Sequence, residues 1–327
     1  MKPSFHHRLV GGPYEDPALY VRLFRESRAL LFDCGDLREL SLAEVLKISD
    51  VFITHTHIDH FIGFDTLLRS QLSHDKTLRV YGPEDIAGFV EGKLRGYAWN
   101  LIRDYPLAME VYAISASGIV KTTYRASESF QRREAGTTPL DVHGTILREP
   151  QLKARALPLT HEIPSLGFRI EEDFHINVDK AALERMGLGS GPWLRDLKDA
   201  IRRELPDDTM ISTEDGGSLK LGDLRNAIMI SEGQKITYIA DTTPTEDNIA
   251  RITEFATGST TLYCEAYFME ADRDRAIERN HLTSTMAGQI GRNSGSRQLI
   301  PFHFAPKYQS AEVSPRDEAL REFQNRP

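Results

Sequence analysis

The chain has 327 residues, of which 40% are hydrophobic and 27% charged, and its formal net charge at pH 7 is −8. A globular protein of this size can bury a sizeable core, as one large domain or two smaller ones, and the composition excludes a disordered chain. The acidic balance argues against non-specific binding of nucleic acid over the whole surface, while a local basic patch stays compatible with it.

The sequence also bears on where the protein acts. It has no run of about 18 apolar residues, so no membrane span is expected. The first residues lack the apolar core and the small-residue cleavage site of a secretory signal. The two cysteines, Cys34 and Cys264, do not form a disulfide framework. This favours a cytoplasmic location, and both cysteines are expected to be buried as small apolar residues.

The first half of the chain is rich in predicted strands. Short apolar runs with turn-forming residues on either side predict half-buried or fully buried strands. In chain order these runs are Ala18–Phe24, Ala29–Phe32, Val51–Thr54, Leu78–Tyr81, Met109–Ile114, Ala154–Leu159 and Leu166–Ile170. Ser41–Ile48 starts with a Ser cap followed by Glu three residues later, which predicts a helix. Helical patterns also cover Phe61–Leu72 and Pro83–Tyr97.

The second half mixes both kinds of element. Between Glu171 and Gly233, charged helices at Asp179–Met186 and Pro192–Glu204 alternate with turn-rich stretches. This segment is interpreted either as an arm inserted into the core or as an ordinary pair of surface helices. Beyond it the sequence predicts alternating strands and helices, at Ile236–Ala240, Thr245–Thr257, Thr261–Ala266, Ser284–Arg292, Leu299–Phe304 and Pro315–Gln324. Two packed sheets with helices outside would bury these faces, which predicts an α/β (α+β) fold.

A cluster of metal-binding residue types follows the apolar run that ends at Ile53. His55 and His57 are two residues apart and share one face of an extended chain, while Asp59 and His60 begin the next segment. Two imidazoles can bind one cation while a carboxylate and a third imidazole bind a second. Three histidines and an aspartate within six residues favour a metal site over a chance cluster near a surface loop.

This His-x-His-x-Asp-His segment resembles the signature of the metallo-β-lactamase superfamily. The resemblance implies an αββα sandwich with a dinuclear metal site at one edge of its two sheets and further ligands at the ends of later strands. Candidates for these further ligands are His161, Asp241 and His303, each at or near the end of a later apolar run. The resemblance assigns to one ion His55, His57 and His161, and to the other Asp59, His60 and His303. Asp241 would bridge two Zn²⁺ ions, although such ligands also suit Mn²⁺ or Fe²⁺.

Further segments between Leu30 and Tyr308 resemble the ribonuclease Z family. They are Thr160–Ile170, Tyr238–Pro244, Cys264–Phe268, His281–Ser284 and His303–Tyr308, together with a Gly191-Pro192 pair similar to that of the family's tRNA-gripping arm. The resemblance implies a homodimeric endonuclease that removes the 3′ trailer of precursor tRNA, using a hydroxide that bridges the metal ions. It also implies a single domain over residues 1–327, with a helical arm within 171–233.

Three side chains are candidates for catalysis. Asp59, besides binding metal, would orient the hydroxide. His281, held by Glu265, suits donation of a proton to the leaving alkoxide, because a carboxylate fixes an imidazole and favours its charged form. The alternatives are a salt-bridged strand end for Glu265 and a residue beside a helix cap for His281.

Departures from the family pattern leave other functions open. The loop Gly11–Tyr20 has acids where the family has bases, and Cys264 and Tyr267 stand where the family has His and Thr. A small phosphodiester, such as a cyclic nucleotide, is therefore an alternative substrate. Two further hypotheses keep the fold: hydrolysis of a lactone, thioester or amide, and a non-enzymatic RNA-binding or scaffold role.

Overall fold

The computed structural model describes residues 5–24, 26–150, 152–172, 174–214 and 216–325. By its internal contacts the chain divides into two compact units. We call Glu172–Gln234 the insertion, and the described residues before and after it the core. Among the described residues, no helix combines the length and the apolar character needed to cross a membrane.

The core contains an eight-stranded sheet and a six-stranded sheet. The first runs in the order β1 to β8, which are Phe5–Leu9, Leu19–Leu23, Ala29–Phe32, Ile48–Phe52, Thr77–Pro83, Ala108–Ser115, Gly118–Arg125 and Arg133–Thr138. The second is built from β9 (Thr145–Arg148), β10 (Lys153–His161), β11 (Ile163–Glu171), β16 (Lys235–Ile239), β17 (Thr261–Glu265) and β18 (Leu299–Phe302). Its strand order is β18-β17-β16-β11-β10-β9.

Strands in the middle of the first sheet carry apolar residues on both faces. In β3 and β4, Leu31 and Val51 belong to the apolar cluster that includes the helices next to this sheet, whereas Phe32 and Phe52 belong to a cluster with residues of the second sheet, such as Phe168. Successive side chains of a strand point to opposite faces. These runs are therefore continuously apolar because they are covered on both sides.

Helices pack against both sheets. Those that follow strands of the first sheet are α1 (Leu42–Val45), α2 (Ile58–Phe61), α3 (Phe64–Gln71) and α4 (Ile86–Arg95). Those that follow strands of the second are α8 (Glu246–Phe255), α9 (Arg273–Glu278), α10 (Ser284–Asn293) and α11 (Pro315–Gln324). Leu67 and Val90 lie in the cluster with the first sheet, and Ile252 and Ile290 in the cluster with the second. The predicted arrangement of two sheets between two layers of helices is confirmed.

Most predicted elements of the core are confirmed. Every strand predicted from an apolar run is present within a few residues of its expected bounds. The helix predicted at Ser41–Ile48 is shorter, because Ile48 begins β4. The pattern at Phe61–Leu72 contains the end of α2 and all of α3, divided at Gly63. The apolar runs did not reveal β1 or β7 to β9; β8 is exposed along its whole length and has no apolar run to find.

The insertion is not purely helical. Its helices are α5 (Lys180–Arg185), α6 (Trp193–Arg202) and α7 (Leu221–Leu224), and its strands are β12 (Phe174–Val178), β13 (Met210–Ser212), β14 (Ser218–Lys220) and β15 (Ile228–Glu232). The strands form two sheets, β12-β15 and β13-β14. The two predicted helices are confirmed, but a pair of helices is an incomplete description, because the segment also contains four strands, of which β13 and β14 have only three residues each. Trp193, Leu197 and Ile211 are buried in an apolar cluster of the insertion's own.

Candidate metal centre and active site

The predicted ligands lie at strand ends that meet at one edge of the second sheet. β16, β17 and β18 are parallel, and β10 has the same direction because both it and β16 pair antiparallel with β11. Strands of one direction bring their carboxyl ends to the same edge, where α/β proteins commonly bind ligands. His161 ends β10, Asp241 follows β16 by two residues, and His303 follows β18 directly.

The segment after β4 carries the other predicted ligands. His55 is buried, His57 is the N-cap residue of α2, and Asp59 and His60 lie within that helix. Backbone hydrogen bonds fix the helix, since Cys34 N donates to His60 O and Gly63 N donates to Cys34 O, both at 2.8 Å. A Cβ on Gly63 would lie 2.0 Å from Gly35 O, so only glycine allows this close approach.

Three overlapping groups of side chains offer ligand atoms close enough together to hold a metal ion. One group contains His55, His57, His161 and Asp241; another contains Asp59, His60 and His303; the third contains Asp241, Glu265, His281 and His303. The first two correspond to the ligand sets that the resemblance assigns to separate ions. The structure thus brings all seven residues together, and their role as ligands stays a prediction.

Asp241 lies between the first two groups with one oxygen toward each. Its Oδ2 is 3.5 Å from His161 Nε2 and 3.8 Å from His55 Nε2. Its Oδ1 is 3.6 Å from His60 Nε2 and 2.7 Å from His303 Nδ1. A carboxylate placed in this way can give one oxygen to each of two cations.

Several donor atoms of this centre lack a well-oriented hydrogen bond, although His303 Nδ1 and Asp241 Oδ1 form an ion pair at 2.7 Å. Within the described residues, the buried atoms without a hydrogen-bond partner include His55 Nε2, His60 Nε2, His303 Nδ1 and Asp241 Oδ1. Buried polar atoms are costly unless they are paired or coordinate a metal. Nitrogen and carboxylate ligands suit zinc and other divalent transition metals, so the residues present fit such ions.

The charges of the site also favour a bound cation. Burial alone would raise the pKa of Asp241, but His303 and His60 hold it well below its usual range. Burial alone would lower the pKa of His303, yet the Asp241 carboxylate raises it to about 9. Burial lowers the pKa of His55 well below its ordinary value, which leaves this ring in the neutral form that binds metals.

Asp33 supports the centre and was not found from the sequence. It is fully buried in a left-handed conformation (φ 53°), and its Oδ2 accepts from His60 Nδ1 at 2.9 Å and from Tyr238 Oη at 3.0 Å. Its Oδ1 accepts from Thr54 N at 2.7 Å. Such a carboxylate fixes the ring so that Nε2 faces the metal. The only signal was an aspartate directly after the apolar run Ala29–Phe32.

His281, Glu265 and Tyr267 form a second feature of the site. Glu265 is fully buried at the end of β17, where its Oε1 accepts from Thr242 N at 2.7 Å and its Oε2 accepts from His281 Nδ1 at 2.8 Å. Tyr267 stacks on the His281 ring at 4.2 Å with an interplanar angle of 12°. Burial would lower the pKa of His281, but Glu265 and Asp241 raise it. The expected pairing of His281 with Glu265 is present, and its catalytic role stays a prediction.

A cavity of about 700 Å³ opens over these residues. Its lining combines His57, Asp59, His161, Asp241, His281 and His303 with the outer residues Glu162, Tyr267, Phe268, Arg275, Glu278, Arg279 and Asn280. The acidic loop noted in the sequence also approaches the centre. The pKa of Asp16 is raised by burial and by the nearby charge of Asp59.

Known proteins resemble the chain along most of its length, although no protein-family model matches it. Ribonuclease Z of Deinococcus radiodurans is 29% identical over 313 residues, covering 93% of this chain and 91% of that protein. Ribonuclease BN of Cronobacter sakazakii is 31% identical over 295 residues, covering 86% of this chain and 80% of that protein.

Solved structures share the fold. The short form of human tRNase Z has a TM-score of 0.57 at 20% identity, covering 93% of each chain. A metallo-β-lactamase fold protein from Bacillus subtilis has a TM-score of 0.56 at 17% identity, covering 96% of this chain and 92% of that one. The metallo-β-lactamase αββα fold expected from the sequence is thereby confirmed.

Proposed function

Since the chain belongs to the ribonuclease Z family, we propose that it cleaves the 3′ trailer from precursor tRNA with two zinc ions bound at the centre described above. Membership of the family makes the protein a metal-dependent endoribonuclease. The tRNA substrate, the zinc and the number of ions are our proposal. Because the relatives are ribonucleases, the alternative substrates, namely a small phosphodiester, a lactone or a thioester, are not favoured.

The position of Asp241 carries the proposal of two ions. Its two oxygens face different histidine groups, His55 with His161 and His60 with His303. A site for one ion would leave one of these groups without a metal, and His55 Nε2 and His60 Nε2 have no hydrogen bond among the described residues. Two ions satisfy both groups with the ligand number typical of zinc.

Each part of the site then has a chemical task. Divalent cations bound there would lower the pKa of water to supply a nucleophile and would stabilise charge on the phosphate oxygens. Asp59, on the accessible side of the centre, orients the attacking oxygen by accepting its proton in a hydrogen bond. Asp33, through His60, keeps the second ligand group in position.

Departure of the leaving group requires a proton. The His281 imidazolium donates it from Nε2, because Nδ1 is engaged by Glu265 at 2.8 Å. Glu265 stabilises the charged ring before the transfer, and the stacked Tyr267 holds its plane. The products are an RNA body with a 3′-hydroxyl and a trailer with a 5′-phosphate.

We also propose that the protein is a cytoplasmic homodimer whose insertion contacts tRNA as an arm. From Glu172 to Gln234 there are 13 Asp and Glu against 8 Lys and Arg, a net charge of −5. The insertion would therefore contact RNA through individual side chains rather than through an overall positive field. Replacing it by a short linker should weaken tRNA binding and leave hydrolysis of a small ester intact.

The test uses two substrates. Metal-loaded protein is incubated with precursor tRNA and with bis(p-nitrophenyl) phosphate, and the RNA ends are mapped. The proposal predicts cleavage of both, with a single cut at the 3′ side of the tRNA body. Cleavage of the small ester without cleavage of the RNA would overturn the tRNA assignment and leave a phosphodiesterase.

A further inference from the structure

Two arginines at the outer end of the catalytic cavity have no task in the mechanism above. Arg275 lies in α9, and Arg279 follows the end of that helix. Both side chains are exposed and line the same cavity as Asp241 and His281. Residues four apart in sequence on a helical turn project from the same side, which agrees with the position of both side chains in the lining of one cavity.

Neither arginine is used to hold the fold. In the part of the chain that the structure describes, neither guanidinium forms an ion pair; Arg275 lies 5.8 Å from the centre of the Phe268 ring, and its charge helps to lower the pKa of Asp272. The nearby cations differ: Arg273 pairs with Glu270 at 2.5 Å, and Lys307 pairs with Asp272 at 2.8 Å. Arg275 and Arg279 are therefore the cations at this cavity that remain available to an anion.

The position of these arginines is tied to the catalytic centre. Asn280 follows Arg279 in a left-handed conformation (φ 58°), and its carbonyl oxygen accepts from His161 Nδ1 at 2.8 Å. Asn280 Nδ2 donates to Glu162 Oε1 at 2.9 Å. This hydrogen bond engages one of the two glutamates, Glu162 and Glu278, at this end of the cavity. The next residue is His281. One short segment thus places two free cations beside the general acid.

We propose that Arg275 and Arg279 bind a phosphate of the substrate next to the scissile one, so that the site favours a chain of phosphodiesters over an isolated diester. The proposal rests on the proposed function and deepens it. The scissile phosphate lies at the metal ligands, and a guanidinium pair recognises a second phosphate well, since planar donors match its oxygens. The loop Gly11–Tyr20 has acids where the family has bases, and the two arginines supply part of the positive charge that this loop lacks.

The test compares the Arg275→Ala/Arg279→Ala double variant with wild-type protein, both loaded with zinc. A fluorescently labelled RNA pentamer reports binding, and bis(p-nitrophenyl) phosphate, which has a single phosphate, reports the chemistry. The double variant should bind the pentamer about tenfold more weakly, with a salt-dependence slope reduced by about 0.7, as expected when one phosphate of a single strand is no longer neutralised. Hydrolysis of the small ester should stay within about twofold of wild type.

Two further variants control the result. Arg273→Ala, on the same helix but outside the cavity lining, should leave both readouts unchanged. Arg275→Lys/Arg279→Lys should restore most of the salt slope, because it keeps the charge. Unchanged RNA binding in the alanine variant, or an equal loss on RNA and on the small ester, would overturn the proposal. Failure of wild-type protein to cut precursor tRNA would overturn the proposed function alone, since the binding comparison does not require cleavage.

Discussion

The floor and the rim of the catalytic cavity differ in how the protein fixes them. We call floor the buried residues His55, His60, His161, Asp241, Glu265 and His303, and rim the more exposed residues Tyr267, Arg275, Glu278 and Arg279. Floor residues sit at strand ends or in α2, and the polar contacts of most of them are to other buried groups. Rim residues have few polar partners, and Arg275 and Arg279 form no ion pair in the described chain.

This difference predicts two kinds of mutational effect. A change in the floor disturbs the groups that hold the metal ions or position His281, so it should harm every substrate equally. A change at Arg275 or Arg279 in the rim alters contacts with the rest of the substrate, so its effect should depend on substrate size. The following experiments measure the contrast, beginning with the largest expected effect.

Asp241→Ala removes the carboxylate between the two ligand groups and should abolish hydrolysis of RNA and small ester alike. The loss should be at least about 10³-fold, because several kcal/mol of transition-state stabilisation depend on the bound ions. Steady-state kinetics with zinc in excess measures it. The control is Asp247→Ala, which changes a solvent-exposed aspartate of α8. Near-full activity in Asp241→Ala would show that the ligand assignment is wrong.

His281→Ala should lower kcat by roughly 10²- to 10⁴-fold, the usual contribution of a general acid. Glu265→Gln should have a smaller effect with a distinctive pH dependence. Only the charged form of His281 donates a proton, and the negative charge of Glu265 helps to raise the pKa of that ring. Activity should therefore fall as the pH rises through the pKa of His281. In Glu265→Gln that pKa is lower, so the fall should occur at a lower pH than in wild type.

The pH profile separates a positioning role from a structural one. A Glu265→Gln variant whose alkaline limb coincides with that of wild type would contradict the role given to Glu265. Gln can still accept from Thr242 N, so the variant keeps the other hydrogen bond of this side chain.

Asp33→Asn should weaken metal binding by about 10- to 100-fold, as is typical when the partner of a ligating histidine loses its charge. Asn tolerates the left-handed conformation of this residue, so the backbone is expected to stay in place. Competition with a chelator measures the affinity. Asp36→Asn is the matched control, because Asp36 pairs with Arg38 near the surface. Equal metal affinity in both variants would mean that Asp33 does not support the centre.

Tyr267→Thr places in the rim the residue that the family pattern has there and removes the ring that stacks on His281. A stacked pair contributes about 0.5–1.5 kcal/mol, so kcat should fall by roughly two- to tenfold. Tyr267→Phe keeps the ring and should behave like wild type. If Tyr267→Phe loses as much activity as Tyr267→Thr, the hydroxyl rather than the stacking is what matters.

The same contrast explains what the sequence could predict. His55, His57, Asp59 and His60 lie in one short motif after a buried strand, so both the centre and the fold were predictable from it. The later candidates His161, Asp241 and His303 were predicted from the family resemblance, which implies further ligands at the ends of later strands. Asp33 was missed because a single aspartate after a strand has no distinctive spacing, although burial makes it a partner of His60.

The rim and the insertion carried weaker signals. Arg275 and Arg279 are ordinary in a charged helix, and only the three-dimensional structure reveals that they line the cavity and form no ion pair with any described residue. In the insertion, β13 and β14 have three residues each and no apolar run. Their pairing depends on contacts within the folded unit, which local patterns do not encode.

The number of metal ions bound per chain distinguishes a dinuclear centre from a mononuclear one. Elemental analysis of wild-type protein, dialysed after loading with zinc, should give close to two ions per chain, because two ligand groups share Asp241. Asp241→Ala analysed in parallel should retain clearly fewer. A wild-type content of about one ion or less, with saturating zinc during loading, would contradict the dinuclear centre on which the account rests.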